Sequence, residues 1–256
     1  MAADHIVKIY DEELDQLNNT VVRMGGLAET QIANAIKAVV KRDAELAAHT
    51  VEADSEIDEL EREVQNQVVR LLALRQPMAR DLRTIVAALK ISSDIERIAD
   101  YAANVAKRAT ALSQVPIVKA IFAMPRMGAL AQALLKDVLD AYVERDTVKA
   151  LSVWRRDEEL DEMYAGLFRE LLTYMMEDPR NITPCTHLLF IAKNIERIGD
   201  HATNIAETVH FLVEGGSFRE HRPKGDNSSF TVVSPETERK PARKPRAAKQ
   251  HGSKSS

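Results

Sequence analysis

The feature that most constrains this chain is that it repeats itself. The segment Ile95-Glu-Arg-Ile-Ala-Asp-Tyr-Ala-Ala-Asn-Val-Ala106 returns as Ile195-Glu-Arg-Ile-Gly-Asp-His-Ala-Thr-Asn-Ile-Ala206, with eight of twelve positions identical. Met24-Gly25 returns as Met127-Gly128, and Arg42-Asp43 as Arg145-Asp146, both at an offset of 103. Asp54-x-Glu-Ile-Asp-Glu59 returns as Asp157-x-Glu-Leu-Asp-Glu162 at the same offset. Arg80-Asp81-Leu82 matches Arg180-Asn181-Ile182 at an offset of 100, so three residues are lost in between. Self-similarity at this period means a duplicated supersecondary unit, and any fold must be built twice.

Each unit reads as three helices. Good helix formers dominate, while the chain holds only nine Gly and nine Pro in 256 residues. A 3.6-type pattern runs from Ile9 past Ile36 to Val40, and Asp43 marks a boundary. A second helix follows, with Val51, Ile57, Leu60, Val64, Val68 and Leu71 on its apolar face. Pro77 suits the first turn of a third, whose stripe is Leu82, Ile85, Leu89, Ile91, Ile95, Ile98, Ala102 and Val105. Pro116 and Pro125 bound the connection to the second unit. Long helices with short connections pack antiparallel. The expected fold is therefore all-α, with two tandem three-helix bundles over residues 5–112 and 118–214. The remainder, 217–256, reads as a disordered basic tail. Its one strand-like stretch, Phe230 to Val233, is too short and isolated to matter.

Charge sharpens that division. The formal net charge of −4 conceals a tail with ten Lys/Arg and four Asp/Glu. The preceding 216 residues hold twenty-five basic and thirty-five acidic residues, a net of −10. An acidic body of that kind argues against a duplex-binding face and against specific nucleic-acid recognition. The single cysteine, Cys185, excludes an intramolecular disulfide framework and a Cys-rich zinc site. It follows Pro184 near a helix start without a His-Asp pattern, so an inert thiol is expected. No run of about 18 apolar residues offers a membrane span. Met1 to Asp15 shows neither a signal-peptide core nor a transit pattern, so the expected location is the cytoplasm.

The candidate chemistry lies in recurring carboxylates. Glu96, Asp100 and Asn104 share one helical face, as do Glu196, Asp200 and Asn204. Asp54 and Asp58 repeat the spacing on the second helix, and Asp157 and Asp161 repeat it in the second unit. Carboxylates four residues apart can converge on a hard cation. Thirty-five acids in 216 residues give roughly five such pairs by chance, usually on solvated faces. Recurrence at equivalent positions of both units lifts these above chance. Spacing alone leaves two readings open, metal binding or a salt-bridge network with Arg97 and Arg197. Those arginines point about 100° from the acids and suit an ion pair with a neighbouring helix, or an interface. His201 stands where Tyr101 stands and reads as a helix-surface histidine. Glu207-x-x-His210 fits a di-iron spacing but does not recur, so it is discounted.

The paired blocks Ile95 to Asp100 and Ile195 to Asp200 resemble those of the PhoU family, reinforced by Arg80-Asp81-Leu82-Arg83, Asp54/Asp58 and Asp157/Asp161. The resemblance covers about residues 5–214. It implies a cytoplasmic regulator rather than an enzyme. Its implied partners are the ATPase subunit of the phosphate ABC transporter and the phosphate sensor histidine kinase, and it would hold the phosphate-starvation response off. It further implies homodimerisation and divalent or trivalent metal ions (iron, manganese, zinc or magnesium) at Asp54, Asp58, Glu96, Asp100, Asp157, Asp161, Glu196 and Asp200. Asn194 stands where Asp94 stands, so a wider acidic rim would be asymmetric. Arg97, Arg197, Asn104 and Asn204 are possible interaction residues. The rival readings are a metal-dependent helical enzyme, which would want His ligands and an open coordination position, and a metal-free helical scaffold.

Overall fold

The repeated Arg-Asp dipeptide sets the two sharpest corners. In the computed structural model, which describes residues 2–75, 77–216 and 218, with side chains from Tyr10 onward, Arg42 and Arg145 both take left-handed backbone angles, φ 55 and φ 56. Each arginine ends one helix, and the aspartate after it caps the next. Asp43 accepts from the Leu46 N–H, and Asp146 from those of Val148 and Lys149. The left-handed turn costs a non-glycine residue about 1–2 kcal/mol. Arg42 offsets this cost, because its guanidinium caps the far end of the unit by donating to the carbonyls of Leu112 (2.7 Å), Ser113 (2.9 Å) and Val115.

The described residues form seven α-helices: α1 Ala2–Lys41, α2 Ala44–Glu52, α3 Asp54–Arg75, α4 Ala79–Leu112, α5 Met124–Glu144, α6 Thr147–Glu177 and α7 Ile182–Glu214. Short 3-10 turns at Lys119–Ala123 and Pro179–Asn181 lead into α5 and α7, and no described residue is in a strand. The chain is therefore all-α, with α1 to α4 and α5 to α7 forming the two units. One break was not expected. The second helix of the first unit is interrupted at Ala53, whereas α6 runs through the equivalent place. The Ser55 hydroxyl takes the Glu52 carbonyl, a side-chain competitor that Glu158 does not reproduce in α6. Pro77 lies before α4 rather than in its first turn, and Leu82 of the expected stripe is 41% exposed. The tail, apart from Phe218, lies outside the described residues, and the strand-like Phe230 to Val233 lies there too.

The Met-Gly repeat has a packing cause. A Cβ on Gly25 would collide with Leu139, and one on Gly128 would stand 2.5 Å from Ile36 Cγ1. Ile36 and Leu139 are themselves equivalent positions of the repeat. The two glycines thus let α1 and α5 approach closely, each receiving the other's apolar side chain. Nearby, the buried Tyr142 hydroxyl donates to Asn18 Oδ1 at 2.5 Å, and burial pushes its pKa up to about 12.

Helices α4 and α7 make the other crossing. Tyr101 and His201, equivalent positions, lie against each other with ring centroids 5.6 Å apart. On either side Lys90 sits over Phe211 and Arg108 over Phe190. Numbers rise along one helix as they fall along the other, so α4 and α7 run antiparallel about a pseudo-twofold axis near Tyr101 and His201. One continuous apolar core joins both units, from Leu17, Val21 and Met24 through Ile91, Ile95 and Ile98 to Leu134, Ile195 and Ile205.

Candidate functional site

Each long central helix turns its apolar stripe into this core, which leaves the intervening carboxylates facing the preceding helix of the same unit. In the first unit, α3 carries Asp54 and Asp58, and α4 carries Glu96 and Asp100; all four are half-buried. Asp54 Oδ1 accepts from the buried Gln31 amide at 3.0 Å. Burial raises the Asp54 pKa, the Gln31 hydrogen bond opposes it, and the charges of Asp100 and Asp58 add to the rise. Glu96 is also raised, first by burial and then by Asp100, with Arg97 opposing and Glu61 and Asp58 adding. The four expected residues therefore form one field of mutual repulsion, joined by Glu61. Arg97 reaches back over it, 3.6 Å from Glu96 Oε2 and 3.4 Å from Asp100 Oδ2.

The second set is deeper. Asp157, Asp161 and Glu196 are 1%, 3% and 5% exposed, while Asp200 is half-buried. The sequence placed these acids at the edge of the helical seam; here they lie inside it. Gly199, which replaces Ala99, makes this possible, because a Cβ there would collide with Asp157 Oδ1 and stand 2.7 Å from Leu160 Cδ2. Glu196 Oε1 accepts from Lys193 Nζ at 2.9 Å, whereas its Oε2 is buried with no hydrogen-bond partner. Burial pushes the Glu196 carboxyl up to about 7, with Lys193 opposing and Asp200 and Asp161 adding to the rise.

The chemistry of these sets fits a hard multivalent ion, since the donors are carboxylate oxygens held in repulsion and one of them, Glu196 Oε2, is buried without a partner. Among the described residues no three His, Cys, Asp or Glu side chains converge as a preassembled ligand set.

The remaining candidates separate. Asn104 lies half-buried one turn beyond Asp100. Asn204 instead turns to the α4–α7 crossing and donates to Asp94 Oδ1 at 3.2 Å. His201 Nδ1 lies 2.8 Å from the same oxygen. Two departures from the repeat, Asp94 against Asn194 and His201 against Tyr101, thus meet in one contact. Arg197 donates to the Tyr101 hydroxyl at 3.3 Å, an interhelical bond made by an exposed side chain. Glu207 accepts from the Trp154 indole, and His210 stacks on Phe218 at 4.4 Å, so the discounted Glu-x-x-His pair is occupied elsewhere. Cys185 is buried, and burial raises its thiol pKa.

Sequence reasoning missed Gln31, Glu61, Tyr164 and Lys193. The signal for Gln31 was available, as a polar residue where the other unit has Leu134. The others required knowing which side of the helix faced the acids.

The model of the PhoU domain matches residues 21–109 and 124–209. A relative from Caulobacter vibrioides, named a phosphate-specific transport system accessory protein PhoU homolog, is 54% identical over 87% of this chain and 97% of its own. A relative of the same name from Rhizobium meliloti is 48% identical over 90% of this chain and 97% of its own. The crystal structure of PhoU from Pseudomonas aeruginosa superposes with a TM-score of 0.79 at 39% identity, covering 81% of this chain and 100% of that one. That of the phosphate transport system regulatory protein PhoU from Streptococcus pneumoniae gives 0.76 at 28% identity, covering 82% and 100%.

Proposed function

The chain belongs to the PhoU family, and from that premise we propose that it is an accessory regulator of phosphate transport rather than an enzyme. It acts in the cytoplasm, where it restrains phosphate uptake and the phosphate-starvation response through the ATPase subunit of the phosphate ABC transporter and the sensor histidine kinase, and it works as a homodimer. Among the described residues no helix is long and apolar enough to cross a membrane, which is compatible with that setting. The observation that carries the reading is the likeness to phosphate-specific transport accessory proteins across both repeats.

The acidic sets are the proposed metal sites. Asp54, Asp58, Glu96 and Asp100 hold one, and Asp157, Asp161, Glu196 and Asp200 the other. A bound multivalent cation supplies the positive charge that lets carboxylates of raised proton affinity stay ionised together. The chain's own contribution is to hold those oxygens on facing helices and to bury the second set from water. Regulation requires that a partner bind one state of the protein more tightly than another.

Affinity capture at high and low phosphate tests the regulatory reading. Recovery of the transporter ATPase or the kinase supports it. Alkaline phosphatase expression in a deletion strain should stay high in phosphate-rich medium, and normal repression there refutes the assignment. Elemental analysis of protein purified without chelator tests the metal reading: no bound metal, and no change with Glu96→Ala and Asp100→Ala, leaves a metal-free scaffold.

A further inference from the structure

The two carboxylate sets are duplicates that no longer have the same composition. Two positions beside the acids differ between the units. Ser93 in the first unit corresponds to Lys193 in the second, and Glu61 corresponds to Tyr164. In the folded chain these changes meet. Lys193 Nζ lies 2.9 Å from Glu196 Oε1 and 4.7 Å from the centre of the buried Tyr164 ring. An ammonium held between a carboxylate and an aromatic face is doubly favoured, by charge and by the ring quadrupole. In the first unit, by contrast, Ser93 is exposed, and Glu61 adds a fifth negative charge to the field around Glu96. Its cations are Arg97, whose side chain is 57% exposed, and the exposed Lys107, which acts on Asp54, so the neutralising charge sits at the rim in water.

We propose that Lys193 is a built-in counter-cation that competes with metal for the second carboxylate set, so that the chain loads metal at the Asp54, Asp58, Glu96 and Asp100 set first. This rests on the reading of both sets as metal sites. Within the second set Glu196 is 5% exposed and its Oε2 is buried without a hydrogen-bond partner, an oxygen that a cation would satisfy. Metal entry there must lift Lys193 off Glu196 and away from Tyr164. A cation entering the first set displaces no ammonium held on an aromatic ring, whereas Lys193, with its side chain 33% exposed, must leave Glu196 and Tyr164 together. The duplication has produced one open set and one that carries its own positive charge. The open set is the one that responds to metal supply, while Lys193 holds the second together in its absence.

The test is Mn²⁺ titration of chelator-stripped, full-length protein by calorimetry, with elemental analysis for stoichiometry. In the wild type, Glu96→Gln with Asp100→Asn should abolish the tighter class of site, and Glu196→Gln with Asp200→Asn should leave it intact. Lys193→Ser should tighten binding at the second set by about tenfold or more, since the metal no longer has to break a charge-assisted hydrogen bond worth at least about 1.5 kcal/mol. Asp157→Asn in that background should reverse the gain. The reciprocal pair, Glu61→Tyr with Ser93→Lys, should weaken the first class and guards against a folding defect in any one variant. Equal affinities at both sets in the wild type overturn the proposal while leaving the metal sites standing. So does binding unchanged by both Lys193→Ser and the reciprocal pair. No Mn²⁺ bound by any variant refutes the metal reading, and the proposal with it.

Discussion

Consider the metal-free protein with Glu196→Gln. The folded protein holds this carboxyl up to about 7, against an ordinary value near 4.5, chiefly through burial. Between those pH values the folded chain keeps a proton that the unfolded chain releases. Stability must therefore fall as pH rises through that window, the reverse of the usual carboxylate case. At about 1.4 kcal/mol per pH unit, the full span amounts to about 3 kcal/mol. Below the lower value the Glu196 carboxyl is protonated in both states and contributes no pH dependence. Glutamine is isosteric with the protonated acid and does not titrate. The variant should then be nearly as stable as the wild type at pH 4 and more stable by about 3 kcal/mol at pH 8. The attraction of Lys193 already lowers the Glu196 value, so this gain is net of the ion pair that the variant loses. Urea unfolding in chelator at both pH values measures it directly. Equal wild-type and variant stabilities at pH 8, or a gain independent of pH, would refute the buried, repelled state assigned to Glu196.

The other predictions concern the scaffold. Arg42→Ala should lose the cap on the carbonyls of Leu112, Ser113 and Val115, lowering stability by about 2 kcal/mol as read by chemical denaturation. Gly128→Ala should push its new methyl into the β-branched Ile36, an overpacking cost of about 1–3 kcal/mol partly offset by better helix propensity. Gly25→Ala meets the more flexible end of Leu139 and should cost less, a difference that paired thermal melts resolve. The Cys185 thiol, the chain's only one, should react with a thiol reagent much more slowly in the native protein than in denaturant, because it is buried and its pKa is raised.

The helical fold was legible because its signals are local and were written twice. Periodicity, the Arg-Asp corners and scarce Gly and Pro each act within a few residues. The candidate carboxylates were legible for the same reason, since a spacing of four fixes a shared helical face without reference to any partner. The Met-Gly repeat was visible as a match, but its cause was not. Only the α1–α5 crossing shows that each glycine receives a side chain from the other unit. Likewise, Asp94 and His201 looked like unrelated departures from the repeat until the antiparallel α4–α7 crossing brought them together with Asn204.

The sequence alone determined the all-α class, the duplication and the eight carboxylates, because these depend on spacing along one chain. The tertiary structure decided that the two sets differ. Exposure, the buried Oε2 of Glu196 and the cation resting on Tyr164 depend on which helix face meets which neighbour. Burial is a property of the packed surroundings, and a residue's own spacing does not encode how much water its neighbours exclude.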